Sequence, residues 1–158
     1  MVASRELAEA LAERGELARR IEQLQSRIVA NARFQEGEAP AENAAALLAE
    51  FDEAVGRVEL LVGRINRTNA TAPLGDRTLT EALSRREALR TRHKAISAAA
   101  DAASGARHGY QRQLRSELAY VAALPVAELR RTADDLSRQL REIDLEIQRA
   151  NWEVDLVD

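Results

Sequence analysis

Apolar residues recur along most of this chain at alternating spacings of three and four, the period of an α-helix with one buried face. The pattern predicts four long helices, over residues 4–31, 43–70, 78–103 and 126–151. In the fourth helix the apolar positions keep heptad spacing throughout, so we expect it to be the most regular. The sequence therefore predicts an all-α protein.

The predicted core positions keep an unbroken spacing of three and four in the second helix and form a thinner stripe in the third. In the second helix they are Leu48, Phe51, Val55, Val58, Val62 and Ile65, followed on the same stripe by Asn69. In the third helix they are Leu79, Leu83, Leu89, His93, Ile96 and Ala100. This third stripe is the thinner of the two.

Local signals mark where the helices begin and end. Ser4 and Asn43 are of the residue types that cap helix N-termini. Thr78 with Glu81 three residues later forms a capping box, the best local signal in the chain. Gly37 within residues 33–42 breaks the periodicity, which indicates a loop there.

Helices of this length joined by short turns favour antiparallel neighbours. We therefore expect one domain over residues 1–158, an elongated antiparallel four-helix bundle or a coiled-coil-like arrangement. Apolar and polar residues alternate over residues 110–124, a pattern that allows a short β-hairpin between the third and fourth helices.

The composition limits the kinds of site that the chain can form and predicts where in the cell it is located. The chain has no cysteine, so no disulfide and no thiolate site can form. No run of 18 apolar residues occurs, and residues 1–13 carry charges at helical spacing where a signal peptide would be apolar. These features predict a cytoplasmic protein that does not insert into membranes.

Two of the predicted helices carry runs of opposite charge. Helix two opens with Glu42, Glu50, Asp52 and Glu53, whereas helix three carries Arg85, Arg86, Arg90, Arg92 and Lys94. Antiparallel packing would bring parts of these runs together. An alternative is that the basic third helix meets nucleic-acid phosphates, although the net charge of -3 argues against a general polyanion binder.

Polar residues cluster where an antiparallel bundle would bring three elements together. They are Asn66, Arg67, Thr68 and Asn69 at the end of helix two, Arg77 before helix three, and Asn151 and Trp152 near the end of helix four. Capping of helix ends explains such residues in one interpretation. In the other they form a small polar pocket for an anionic or metal-bound ligand. No residue is identified as catalytic.

The sequence predicts neither a metal nor a cofactor. A di-iron bundle needs Glu-x-x-His pairs, but Arg90 stands three residues before His93 and Gly105 three residues before His108. A lone histidine on a core stripe is more often hydrogen-bonded within the protein than a ligand. The acidic loop with Gln35, Glu36 and Glu38 has oxygen ligands for a hard cation, but solvated loop carboxylates seldom bind one tightly.

The fourth helix has a second apolar edge, formed by Leu145, Trp152 and Leu156, about a hundred degrees from its core stripe. A second edge needs a second partner. The leading hypothesis is therefore a non-enzymatic helical protein that forms a homo-oligomer through this edge. The alternatives are a ligand-binding protein or enzyme with its site among the Asn and Arg residues above, and a nucleic-acid-binding protein.

Four ordered motifs carry a resemblance to a known family. They are QEGE at 35–38, RINRTN at 64–69, RTLTEAL at 77–83 and ANW at 150–152. Together they resemble the septicolysin-like family of bacterial proteins, over almost the whole chain. The resemblance implies a small helical protein of uncharacterised function, with no agreed catalytic residue to transfer.

Overall fold

Four α-helices account for most of residues 6–105 and 121–157, which the computed structural model describes. The elements are α1 (Leu7–Asn31), α2 (Ala44–Thr71), β1 (Pro73–Leu74), β2 (Arg77–Thr78), α3 (Leu79–Ala103) and α4 (Val126–Glu153). The predicted all-α class is confirmed, and each described helix begins and ends close to its predicted bounds. The predicted cap at Ser4 lies outside the described residues.

One short β-hairpin is present in this part of the chain, but between α2 and α3. Strands β1 and β2 pair across a two-residue turn, and Gly75 in that turn has a φ of 63°. A positive φ is a conformation that glycine adopts without steric cost. The segment 110–124, for which the sequence allows a hairpin, lies mostly outside the described residues, and its described part, residues 121–124, is not a strand.

The chain divides into two compact units, each with its own apolar cluster. Unit 1 comprises residues 1–73 and 149–158, and unit 2 comprises residues 74–148. Helices α1 and α2 therefore belong to unit 1. Helix α3 belongs to unit 2 with most of α4, whose last residues belong to unit 1.

In unit 1, α1 and α2 run antiparallel along an apolar seam. Leu24, Leu47 and Ala54 are buried in it, with Ile21, Ile28 and Phe51 packed against them. Three ion pairs cross the seam and fix its register: Glu13 with Arg57, Arg20 with Glu50, and Arg27 with Glu42. Partly exposed pairs of this kind contribute little stability, so burial of the seam holds the helices together.

The Arg27–Glu42 pair also joins the two ends of the α1–α2 loop. A hydrogen bond of 2.9 Å from Arg27 Nε to Glu42 Oε2 raises the pKa of the guanidinium and lowers the pKa of the carboxyl. Asn31 accepts the Glu42 backbone N–H at 3.0 Å through its Oδ1. Asn43 then caps α2, as predicted, accepting the backbone N–H groups of Ala45 and Ala46.

The buried row of α2 differs by one position from the predicted one. Leu47, Ala54 and Leu61 are buried, whereas the predicted Leu48 and Val55 are 49% and 39% exposed. Both rows are apolar and both have heptad spacing. The positions between them, Phe51, Val58 and Ile65, are common to the two. Helix α2 thus has one apolar row buried against α1 and a second, parallel row that α1 does not cover.

Unit 2 is held by the apolar faces of α3 and α4. Its cluster of buried residues consists of Ala82, Leu89, Leu136, Ile143 and Ile147, with Leu74, Leu83, Ile96 and Leu140 packed against it. The α4 members of this group, Leu136, Leu140, Ile143 and Ile147, follow one another at spacings of four, three and four, in line with the regular apolar stripe predicted for that helix. The sequence-predicted stripe of α3 omits Ala82, which is fully buried.

The start of α3 is fixed by the predicted capping box. Thr78 Oγ1 accepts the backbone N–H of Glu81 at 3.3 Å, and the Glu81 carboxylate accepts the backbone N–H of Thr78 at 2.6 Å. These bonds satisfy two N–H groups that a helix start otherwise leaves unpaired. Hydrogen bonds from the backbone and then the hydroxyl of Thr78 lower the pKa of Glu81 below its ordinary 4.5.

We expect replacement of the cap by Thr78→Ala to lower the free energy of unfolding of unit 2 by about 1 kcal/mol.

Because the pKa of Glu81 is lowered by folding, the stability that its carboxylate contributes is complete above pH 4.5 and is lost as the pH falls through the lowered value. Glu81→Gln cannot titrate. Denaturant unfolding should therefore show the stability gap between wild type and Glu81→Gln closing on acidification; a gap independent of pH would contradict this assignment.

Candidate functional site

Thr68 is the member of the predicted polar site that the structure buries completely. Its side chain is 0% exposed, whereas Asn66 and Arg67 are exposed and Asn69 is half-buried. Thr68 Oγ1 donates to the Arg64 backbone carbonyl at 2.9 Å and accepts the Val157 backbone N–H at 3.0 Å. Since its single donor and an acceptor lone pair are used within the protein, Thr68 serves packing at this end of unit 1.

The segment that Thr68 holds is the one that follows α4. The backbone N–H of Leu7 donates to the Val154 carbonyl at 2.9 Å, and Glu6 and Asp155 form an isolated antiparallel bridge. Arg64 Nε donates to the Val157 carbonyl at 3.2 Å. Residues 154–157, called the strap below, therefore contact the start of α1 and the last turns of α2.

The other residues of the predicted polar site have surroundings that differ from those of the buried Thr68. Asn151 is half-buried, and Trp152 is 64% exposed. Arg77 belongs to unit 2, where its Nε lies 3.4 Å from the carboxylate of its neighbour Asp76. Arg67 has partners of its own, and the Cβ that an alanine would place at position 63 lies 3.6 Å from its guanidinium.

The predicted apolar edge is only partly at the surface. Leu145 is 54% exposed and Trp152 is 64% exposed, but Leu156 is 8% exposed. Leu156 lies beyond the last helical residue, Glu153, so helical spacing does not apply to it. Its assignment to the exposed edge is wrong, because its side chain is the buried anchor of the strap.

Two polar side chains interrupt the apolar face of α3 in unit 2. His93 is partly buried, and its Nε2 lies 2.9 Å from Ser137 Oγ of α4, the hydrogen-bonded role expected of a lone core histidine. Arg86 Nη1 lies 3.5 Å from Asp144 Oδ1, while its buried Nε has no hydrogen-bond partner among the described residues. Arg86 belongs to the basic run of helix three in the sequence, but its spacing from the buried Ala82 and Leu89 places it on the core stripe.

Several members of the acidic and basic runs have partners within their own units. Glu42 and Glu50 pair with α1, as described above. Arg86 and Arg90 approach Asp144 of α4, Arg90 also pairs with Glu87, and Arg85 donates to Gln139 at 3.2 Å. Lys94 and Arg92 remain exposed.

No group of three or more histidine or acidic side chains placed to hold a metal ion occurs within residues 6–105 and 121–157. Gln35, Glu36 and Glu38 are exposed in the α1–α2 loop. There the Glu38 backbone N–H donates to the Gln35 carbonyl at 3.0 Å, across Gly37 with a φ of 90°. The acidic groups of this loop thus flank a turn.

Helix α2 exposes a second face that combines two heptad rows. Leu48, Val55 and Val62 form the apolar row, and Asp52 and Glu59 lie between them at helical spacing on the same side. Both carboxylates are exposed, and neither has an ion-pair or hydrogen-bond partner among the residues that the structure describes. We call this the acidic face of α2.

Helix α3 exposes a face of the opposite character. Arg85 and Arg92 are seven residues apart and exposed, and Ala88 and Ala95 lie between and beyond them on the same side of the helix. Arg92 forms no ion pair or hydrogen bond among the residues that the structure describes. We call this the basic face of α3. It consists of small side chains and guanidinium groups.

The fold defines an all-α protein made of two helical pairs, in which hydrogen-bonded polar side chains such as Thr68, Thr78 and His93 hold the strap, a helix start and a helix contact. The chain belongs to a family of unknown function, DUF6847, whose model matches residues 4–156. No curated protein matches the chain.

A solved structure supports the same fold. The crystal structure of a functionally unknown conserved protein from Corynebacterium diphtheriae is similar with 39% sequence identity and a TM-score of 0.91, over 98% of this chain and 99% of that chain. Within the described residues, no helix is both long enough and apolar enough to cross a membrane. The cytoplasmic location expected from the sequence stays a prediction.

The resemblance to the septicolysin-like family is wrong, since the family model that covers the chain is a different one. The four motifs that suggested it have general structural roles. QEGE lies in the loop after α1, RINRTN ends α2, RTLTEAL contains the capping box, and ANW ends α4. Turn and capping residues recur in unrelated helical proteins, so such motifs carry little family information.

Proposed function

We propose that this protein is a non-enzymatic helical protein that acts by self-association, with the acidic face of α2 in one copy bound to the basic face of α3 in a second copy. The observation that supports it is the match between these two faces of the same chain. Each is exposed, and the acidic pair 52 and 59 has the same seven-residue spacing as the basic pair 85 and 92.

The side chains on the two faces also match in size. Leu48 and Val55 on α2 are large and partly exposed, whereas Ala88 and Ala95 on α3 are small. A row of large apolar side chains against a row of alanines allows two helices to approach closely and to bury apolar area. Burial of that area would supply the affinity, and the flanking charges would select the partner and its register.

A second copy is the partner that the charges favour. Unit 1 carries more acidic than basic residues, and unit 2 carries more basic than acidic residues. Two like acidic faces would repel each other, but one chain presents both members of the complementary pair. Contacts of this kind either close into a symmetric oligomer or continue into a chain of copies.

Charge reversal tests this contact. We expect Asp52→Arg with Glu59→Arg to weaken self-association by about tenfold or more, because like charges then face each other across the contact. Arg85→Glu with Arg92→Glu should have the same effect. The chain carrying all four substitutions should associate again, as should an equimolar mixture of the two double variants.

Sedimentation velocity over a concentration series is the measurement, with far-UV circular dichroism to show that each variant is folded. Glu16→Arg with Glu22→Arg is the matched control, since it makes the same charge change at exposed positions of α1. Association that survives both double variants, or fails to return in the fourfold variant, would overturn the proposal.

Two features weaken the alternative functions. Two basic residues of α3, Arg86 and Arg90, already pair with carboxylates within unit 2, which leaves fewer basic residues for a phosphate backbone. Thr68, at the centre of the predicted polar site, is committed to the strap. The exposed side chains of Leu145 and Trp152 stay a predicted additional contact, which Trp152→Ala tests in the same sedimentation series.

A further inference from the structure

The strap supplies hydrogen bonds that the helices of unit 1 lack. Helix α1 has Glu6 at its N-cap without a side-chain capping bond, and the Val154 carbonyl accepts the Leu7 N–H instead. At the other side the Val157 N–H donates to the buried hydroxyl of Thr68. The strap therefore acts as an external cap for unit 1.

The residues of α1 and α2 at the strap's hydrogen bonds are buried. Leu7 and Thr68 are 0% exposed, and Ile65, three residues before Thr68, is 1% exposed. Within the strap, Leu156 is 8% exposed and Val157 is 45% exposed. One anchor side chain and a few backbone hydrogen bonds thus hold an extended peptide segment in place, the arrangement by which extended peptides bind at exposed backbone groups.

The strap buries fewer side chains than the helix seam. Of residues 154–157 only Leu156 is buried, whereas Leu24, Leu47 and Ala54 are buried in the seam. The antiparallel bridge between Glu6 and Asp155 is isolated. Segments with few buried contacts open at a lower free energy than the core around them.

From these contacts we infer that the strap is a releasable segment that opens while α1 and α2 stay folded. Opening separates the Thr68 hydroxyl from the Val157 N–H and returns the Leu7 N–H to solvent. Closing restores both hydrogen bonds. The strap thus controls the exposure of the Thr68 hydroxyl and of the start of α1, and this inference does not depend on the proposed self-association.

Hydrogen exchange of the full chain, followed by mass spectrometry or NMR, tests the inference. We expect the amides of Leu7 and Val157 in wild type to exchange about tenfold or more faster than the amides of the seam around Leu24. Leu156→Ala, which removes the anchor, should accelerate only the strap amides. Val157→Ala, in the same segment but at an exposed side chain, is the matched control and should change neither.

Two results would overturn the inference. One is that strap and seam amides of wild type exchange at the same rate, since the strap would then open only when unit 1 unfolds. The other is that Leu156→Ala accelerates the exchange of strap and seam equally, since the strap would then be part of one cooperative core. Retained protection around Leu24 in the variant shows that its helices are folded.

Discussion

Leu24→Ala should lower the free energy of unfolding of unit 1 by about 2–5 kcal/mol. Leu24 is 0% exposed and lies in the α1–α2 seam with Leu47 and Ala54. The side chains around a deleted core group relax only partly, so a cavity would remain in the seam. Native-state hydrogen exchange of α1 and α2 amides measures the effect within unit 1.

Leu60→Ala is the control for this prediction. It makes the same chemical change on the partner helix α2, at a side chain that is 74% exposed. We expect its effect to stay within about 0.5 kcal/mol, the usual range for surface substitutions. A similar loss in the two variants would mean that the α1–α2 seam is not the core of unit 1.

Leu89→Ala should destabilise unit 2 by a similar amount, about 2–5 kcal/mol. Leu89 is 2% exposed and lies on the core stripe of α3 between Arg86 and His93. With polar side chains at the preceding and following core positions, Leu89 supplies much of the apolar contact in the middle of α3. Its removal would also let water reach the buried Arg86 Nε.

The matched control in unit 2 is Leu145→Ala on α4, where the side chain is 54% exposed. Hydrogen exchange of α3 and α4 amides should show a large effect of Leu89→Ala and little effect of Leu145→Ala. Equal effects would show that the α3–α4 cluster is not what stabilises unit 2. Comparison with the amides of α1 then reveals whether the two units unfold together.

Helix α4 shows what the hydrophobic pattern can predict. Its core positions, such as Leu136, Ile143 and Ile147, have charged or polar neighbours on the other faces, so one stripe stands out. The starts of α2 and α3 could also be predicted from the sequence, because Asn43 and the Thr78–Glu81 pair have specific capping roles. Local chemistry therefore predicted most of the helices.

Helix α2 shows why the same method gave the wrong buried row. Its sequence places Leu47 beside Leu48, and Ala54 beside Val55, so two heptad rows are apolar. Val55 is larger than Ala54, which favours the row that turns out to be exposed. Which row is buried depends on contacts with the partner helix α1. The periodicity within α2 carries no information about those contacts.

The sequence predicted the candidate site only in part, because contacts between distant segments of the chain decide which of its residues are buried. Thr68 and Trp152 were singled out as polar or aromatic residues near helix ends, but the strap that buries Thr68 contains no motif. Leu156 appeared to continue the edge of α4 because helical spacing was extended past Glu153. Arg86 was missed since a charged residue is seldom assigned to a core position.

The measurement that tests the central claim most directly is the molar mass of the wild-type protein in solution, by light scattering over a micromolar concentration series. Self-association through the acidic face of α2 and the basic face of α3 predicts a mass above the monomer's 17.5 kDa that rises with concentration and falls with added salt. A constant monomer mass throughout the series, at low salt, would contradict it.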